Sequence, residues 1–258
     1  MKNIALVMTP NLLYKNKFID DLIKENNKSI KLLIKLEFRN PNTSLLKHNY
    51  TYLNLIGMKG FFYIFYLYFL RFKKRLITPS SRRKYSTLSE ISKKHNIAYK
   101  TIDSVNSKSF YELVNNYKID FIINSANQIY SKNTLDSLNA KIINRHTSLL
   151  PQYGGIYPVF WQMLNNEEYG GVTLHWIDEK VDKGEIAYQE KFLLDESKSL
   201  FQHYKTAFEI SLKLCNELIQ DLNNDKVIMI DSNLQESYYS WPSKDDVKNF
   251  KKYKNKIV

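Results

Sequence analysis

The sequence predicts an α/β domain built on a central, mostly parallel sheet flanked by helices, with a short C-terminal appendage. Three observations carry this. The chain opens strand–helix–strand, the signature of a parallel pairing with a helical crossover. Further short apolar runs, the first two each preceded by a helical segment, follow as far as residue 144. The 258 residues are 43 % hydrophobic, enough to bury a full core without covalent staples. The single cysteine, Cys215, excludes an intramolecular disulfide framework and a Cys-based zinc cage.

Taken in order, Asn3–Thr9 (NIALVMT) reads as a buried strand that Pro10 ends. Leu12–Lys24 reads as a helix with Leu13, Phe18, Leu22 and Ile23 on its apolar side, and Ser29–Phe38 as the second strand. The turn at Pro10-Asn11 has no glycine, so it forms no Walker or dinucleotide phosphate cradle. Residues 39–54 read as irregular. Gly60–Arg75 is an aromatic helix, apolar all round; lacking a clean polar face, it is expected to be a core or dimer-interface helix rather than a membrane-surface one. Thr78–Ser81 (TPSS) is the best linker candidate. Helices are expected at 86–95 and 109–117, and strands at 97–101, 120–124 (DFIIN) and 141–144 (KIIN). Residues 170–177 and 185–193 form a strand pair, and 200–222 a long helix with Leu200, Tyr204, Phe208 and Leu212 on its core stripe.

The formal charge is +12, from 38 basic and 26 acidic side chains. Such a balance suits nucleic acid, an anionic membrane surface or anionic small molecules. The lysines run along the whole chain, with denser clusters at Arg71–Arg75, Arg82–Lys84 and Lys248–Lys256. These read as solvated basic faces, with attraction of a phosphorylated substrate or an anionic membrane as the alternative, and no aromatic RNP motif or GXXG loop accompanies them. The first residues lack the run and cleavage site of an export signal. Gly60–Leu70 is the most apolar stretch, bracketed by Lys59 and Arg71; a spanning helix needs about 20 apolar residues. A cytoplasmic protein without a membrane span is expected.

Chemistry concentrates in 142–189. Asn144 and His146 stand two apart at the C-terminal end of a strand, so both side chains face one way. Ligands of open α/β sheets bind at such ends. An amide N–H can hold a developing oxyanion, and an imidazole can take a proton near neutral pH. Asp182, in the sharp loop Val181-Asp182-Lys183-Gly184, is the carboxylate that can orient the imidazole and raise its pKa. The three suit attack by an amine on a carbonyl.

The block reads Asn144-x-His146-x-Ser148-Leu149-Leu150-Pro151-x-Tyr153-x-Gly155, then Gly171-x-Thr173-x-His175, then Asp182-x-Gly184-x-Ile186. In this it resembles the formyltransferases that use 10-formyltetrahydrofolate. The resemblance implies their Rossmann-like fold, with a catalytic domain at 1–225 and a C-terminal extension at 226–258 packed on it. It implies 10-formyltetrahydrofolate as formyl donor and no metal. Asn144 takes the role of polarising the formyl oxygen and stabilising the tetrahedral intermediate. His146 accepts a proton from the attacking amine or stabilises the oxyanion as a cation, and Asp182 keeps it oriented and basic. The pterin site implied lies between 127–131 and 177–182, with Gln128, Ile129, Tyr130, Ile177, Asp178 and Val181 as cofactor-binding positions. Ser148 is expected to support the loop, and His175 to be a packed neighbour of the site.

Among such enzymes the chain looks most like the sugar N-formyltransferases. It lacks the Gly-rich phosphate loop of the glycinamide ribonucleotide enzyme. About seventy residues follow Asp182, too few for the C-terminal barrel of methionyl-tRNA formyltransferase, and residues 1 to 80 read as part of the catalytic sheet rather than the regulatory domain of the folate deformylase. The phrasing of 150–161 and of 235–242 resembles enzymes of surface polysaccharide synthesis. Tyr153, Tyr157 and Trp161 are the expected substrate-binding aromatics, with Tyr238, Tyr239 and Trp241 as further candidates for the same pocket. The aromatic insertion at 54–75 departs from the better-known sugar enzymes. The resemblance thus implies a nucleotide-linked amino sugar as acceptor, a homodimer, and no nucleic acid partner. The alternatives are a methionyl-tRNA formyltransferase-like enzyme and a catalytically inactive folate-binding scaffold.

Overall fold

Five parallel strands form the frame. In a computed structural model they are β1 (Ile4–Met8), β2 (Ile30–Leu36), β3 (Ala98–Ile102), β4 (Phe121–Ser125) and β5 (Lys141–His146). The structure describes residues 1–9, 14–37 and 87–253, together with residues 57, 61–63, 65, 66, 69, 70, 72 and 73. Pro10, the stretch 39–54 and the expected linker at 78–81 lie outside them. After β5 the chain makes a two-residue strand β6 (Gly154–Gly155). The antiparallel strands β7 (Tyr169–Trp176) and β8 (Ile186–Leu193) then complete a seven-stranded sheet of order β3-β2-β1-β4-β5-β7-β8. β6 pairs in parallel with a second short strand, β9 (Tyr238–Tyr239).

β1 is buried at all five positions, as a central strand covered on both faces must be. Its even residues Ile4, Leu6 and Met8 belong to one apolar layer and Ala5 and Val7 to the other. The first layer is covered by α1 (Lys15–Glu25), α2 (Leu88–His95), α5 (Pro158–Leu164) and α6 (Leu200–Asn223). The second is closed by α3 (Lys108–Asn116), through Phe110 and Val114, with α4 (Lys132–Ser137) beside it. Helix starts follow capping chemistry: Thr87 and Glu90 form a capping box on α2, Ser199 and Gln202 one on α6, and Ser107 and Ser131 cap α3 and α4. Asn96, at φ 54°, ends α2, since asparagine tolerates the left-handed region.

The long helix differs from the expected stripe. Leu200 and Phe208 are buried, but Tyr204 and Leu212 are only partly so, and the deepest positions are His203, Ala207, Ser211, Leu214, Cys215 and Leu218. The helix packs on α1, β7 and β8, and Ser211 takes a hydrogen bond from Arg145 of β5. The aromatic segment also differs. Its described residues are helical, yet Phe61, Phe62, Tyr63, Phe65, Tyr66, Phe69 and Phe72 are all exposed, so it is not a core helix.

The strand order reverses between β1 and β4. From there the chain runs to β2 and β3 on one side and to β5 on the other. The crevice at such a switch point, at the C-terminal strand ends, is where open α/β sheets bind ligands. Ser125 and His146 end β4 and β5 at this edge, and Lys15 opens the helix that follows β1. The C-terminal segment reaches the same edge: the Gly154 N–H donates to the Ser237 carbonyl and the Ile156 N–H to that of Tyr239, both at 2.9 Å. Beyond it, α7 (Lys244–Tyr253) stacks Phe250 on Phe160 of α5, with ring centroids 4.6 Å apart.

Candidate active site

Asn144 and His146 leave β5 on one face, as strand alternation requires. Partners from neighbouring strands fix both. The Asn124 amide, on β4, donates to Asn144 Oδ1 at 2.9 Å, and the Tyr130 hydroxyl donates to Asn124 Oδ1 at 3.2 Å. Across β7, Asn144 Nδ2 lies 3.2 Å from His175 Nε2, and His175 Nδ1 lies 3.0 Å from the Trp176 carbonyl. His175 therefore donates from Nδ1 and accepts at Nε2. With its oxygen engaged and one amide hydrogen on His175, Asn144 keeps one N–H for a ligand.

His146 is buried, with Nε2 2.9 Å from the Tyr153 carbonyl and Nδ1 3.6 Å from Asp182 Oδ1. A carbonyl can only accept, so the neutral ring carries its proton on Nε2, leaving Nδ1 as the basic nitrogen on the carboxylate side. Burial holds the imidazole below its ordinary pKa, against the opposing pull of Asp182. Burial pushes the Asp182 carboxyl up, but His146, His175 and the Gly155 N–H outweigh it and bring the carboxyl down to about 2. Asp182 Oδ2 accepts from that N–H at 2.8 Å, and Oδ1 lies 3.6 Å from His175 Nε2.

Two glycines make this packing possible. A Cβ on Gly155 (φ +96°) would lie 2.1 Å from the Tyr239 carbonyl oxygen, and one on Gly184 would lie 1.8 Å from that of Trp176. Asp182 itself sits at φ 55°. Ser148 donates to the Gln152 carbonyl at 2.7 Å and Thr173 to that of Ser148 at 2.6 Å, tying the loop 147–153 to β7. Leu150–Pro151 is a cis peptide.

The other expected positions divide into two groups. Around the implied pterin site, Ile129 and Val181 are exposed apolar side chains, whereas Tyr130 is buried with its hydroxyl on Asn124. Gln128 accepts from the Val105 N–H and donates to the Asp103 carbonyl; Ile177 packs on the second apolar layer, and Asp178 accepts from the Glu179 N–H. An ion pair between Lys132 and Glu179 joins the two flanking segments. The expected substrate aromatics form a stack with the C-terminal segment. Tyr153 lies parallel to Tyr239 with centroids 5.1 Å apart, Trp161 stacks on the same ring at 4.9 Å, and Tyr157 meets Trp241 edge-on. The Tyr153 hydroxyl donates to Glu167 at 2.6 Å.

A cationic corner that the sequence reading did not single out lies on the other face of β5. Lys15 Nζ donates to the Ser125 carbonyl at 2.9 Å. Arg145 donates to the Ser125 and Ser211 hydroxyls, each at 3.3 Å, and its guanidinium covers the Phe208 ring at 4.0 Å. Burial and the Arg145 charge pull the Lys15 amine down to about 7, and burial lowers Arg145 to about 10. Among the described residues no carboxylate pairs with either. Only adjacent numbering in the sequence, Arg145 between Asn144 and His146, could have pointed to it. No cluster among the described residues could hold a metal ion, and no described helix is long and apolar enough to cross a membrane.

Comparison with known proteins gives this edge a family. A methionyl-tRNA formyltransferase of Finegoldia magna is 29 % identical over 122 residues, 47 % of this chain and 39 % of that protein. The bifunctional polymyxin resistance protein ArnA of Wigglesworthia glossinidia brevipalpis is 28 % identical over 148 residues, 57 % of this chain and 23 % of its own length. The chain thus spans well under two thirds of these relatives. Among solved structures, an N-formyltransferase from Helicobacter canadensis, in complex with folinic acid and dTDP-3-aminofucose, superposes with a TM-score of 0.59 at 18 % identity, covering 93 % of this chain and 71 % of that one. A phosphoribosylglycinamide formyltransferase from Anaplasma phagocytophilum reaches 0.61 at 12 % identity, covering 92 % and 97 %. At these identities the likeness is one of fold. The formyl transferase family model matches residues 78–212, just over half of the chain and a span holding Asn144, His146 and Asp182, and the chain belongs to that family.

Proposed function

We propose that the chain transfers a formyl group from 10-formyltetrahydrofolate to the primary amine of a nucleotide-linked amino sugar. The observation that carries the reading is the constellation of Asn144, His146 and Asp182 at the C-terminal edge of β5. The donor supplies a formyl carbon already activated as an amide of the folate nitrogen. The free N–H of Asn144 meets the formyl oxygen as charge builds there. His146 Nδ1 takes the proton that the amine loses as its nitrogen bonds to carbon, and Asp182, 3.6 Å away, stabilises the imidazolium so formed. As the bond to the folate nitrogen breaks, that nitrogen takes up the proton the amine gave to His146, so tetrahydrofolate leaves and the imidazole returns to its neutral form. Exposed Ile129 and Val181, on segments bridged by Lys132 and Glu179, fit apolar walls for a flat ring.

The anionic acceptor is favoured by the Lys15–Arg145 corner. Two cations held together without a carboxylate call for a bound anion, and a diphosphate answers that need. Lys15→Met is expected to raise the acceptor KM about ten-fold or more while leaving the donor KM unchanged and the melting temperature equal or higher. Because the amine sits at about 7, it loses its charge as pH rises through neutrality. A bound diphosphate restores the proton, so acceptor affinity falls above that pH; steady-state KM measured across pH checks the sign.

Two further variants probe the Asp182 loop. Asp182→Asn removes the charge that opposes the burial effect on His146 and is expected to lower kcat/KM about 100-fold. Gly184→Ala forces the loop off the Trp176 carbonyl, and misplacement of Asp182 by about 1 Å costs a comparable factor. Both are read by tetrahydrofolate release, with circular dichroism showing a retained fold. The acceptor is tested by incubating the protein with formyl donor and a panel of nucleotide-linked amino sugars, with methionyl-tRNA alongside. Formylated sugar supports the proposal; formylation of tRNA alone moves the activity to the methionyl-tRNA class.

A further inference from the structure

The described aromatic side chains between Phe61 and Phe72 are helical and leave 40 to 61 % of their surface to solvent, with Phe62, Phe65 and Phe72 at or above 60 %. Large apolar side chains exposed this close together along the chain mark an interaction surface. The charge around it is one-sided. Between Glu37 and Glu90 the sequence has ten Lys and Arg residues and no Asp or Glu. The remaining 28 basic and 26 acidic side chains leave the rest of the chain at +2. Nearly all of the net charge therefore belongs to the stretch that carries the aromatic helix. Lys73 Nζ lies 4.9 Å above the Phe69 ring, and Gly57 abuts Lys251 of the basic helix α7, where an added Cβ would lie 3.0 Å from Nζ.

Charge and pattern select the occupant. A second copy would bring two such basic stretches face to face, and like charges repel across an interface. A nucleic acid surface interleaves cations with its aromatics, whereas residues 61–70 are ten consecutive uncharged apolar or aromatic side chains with Lys59 before them and Arg71, Lys73, Lys74 and Arg75 after. The apolar run has no polar face of its own, and its cations stand at its two ends; aromatic rings flanked by Lys and Arg in this way suit the headgroup level of a bilayer, where rings enter the acyl boundary and cations meet lipid phosphates. A helix of ten residues spans about 15 Å, half of a hydrocarbon core of about 30 Å, so an apolar run of this length is too short to cross and suits the interface. We propose that this helix docks the protein on an anionic membrane surface. The proposal is independent of the formyl-transfer reading.

Co-sedimentation of the full chain with phosphatidylcholine vesicles, with and without phosphatidylglycerol, tests it. Binding is expected to the anionic vesicles only and to weaken as salt rises. The triple variant Phe62→Ser, Phe65→Ser, Phe72→Ser should lose about ten-fold or more of that binding, and Lys73→Glu should weaken it separately. These side chains are exposed, so melting temperature should hold in both variants. Absence of binding, equal binding to neutral vesicles, or full retention by the triple variant overturns the proposal. So does displacement of the vesicles by tRNA, or a dimer in light scattering that the triple variant dissolves.

Discussion

His146→Ala is expected to lower turnover by about 10²- to 10⁴-fold, the usual contribution of a positioned general base. The ring is held between the Tyr153 carbonyl and Asp182, and no neighbouring group of the cluster can replace Nδ1: His175 accepts from Asn144 and donates to Trp176. The pH profile separates the two roles open to His146. Burial holds its pKa below 6.5, so a base is already neutral at pH 7. The rate should then be flat above that value and fall as pH drops through the lowered pKa. A catalytic imidazolium would give the opposite, a rate that falls as pH rises. The same shift makes a linkage prediction. A histidine buried neutral stabilises the fold above its unfolded pKa, and that contribution is lost on acidification.

Asn144→Ala is expected to cost about 10²- to 10³-fold in kcat, the loss seen when one oxyanion donor is removed. It also leaves one Asn124 amide hydrogen and His175 Nε2 without a partner, while the Asn124 amide keeps the Ala126 carbonyl at 3.2 Å, a penalty of about 1–3 kcal/mol for a buried group left unsatisfied. The melting temperature should therefore drop while the fold survives. Tyr130→Phe gives the complementary case. It removes only the hydroxyl that orients Asn124, so kcat should fall less than in Asn144→Ala, and the donor KM should move little.

The catalytic edge was legible because its residues are local in sequence or repeat with a strand's period. Asn144 and His146 share a face by alternation, and Asp182 sits in a loop whose Gly184 meets the Trp176 carbonyl. The all-buried β1 was legible from five apolar residues in a row. What was not legible depends on contacts between distant residues. Nothing near Tyr130 indicates that its hydroxyl supports Asn124, and although Tyr239 is expected near Tyr153 and Trp161, its stacking on both rings is not. The six-residue α4 has no buried residue and hence no periodic signal. α5 starts at Pro158 directly after Tyr157 at φ 56°, inside a stretch where the motif obscures the helix. The Lys15–Arg145 corner escaped because its members come from different elements, 130 residues apart in number. The aromatic helix shows the limit of composition: an all-round apolar segment suggests burial, and the described side chains are exposed.

Formyl transfer at the β5 edge is measured by release of tetrahydrofolate from 10-formyltetrahydrofolate, followed in single turnover with the amino-sugar panel, for the wild type beside His146→Ala and Asn144→Ala. Acceptor-dependent release by the wild type and a loss of about 100-fold or more in each variant are expected. Release that matches the wild type in the His146 variant, or no release by the wild type with any amine, would contradict formyl transfer by these residues.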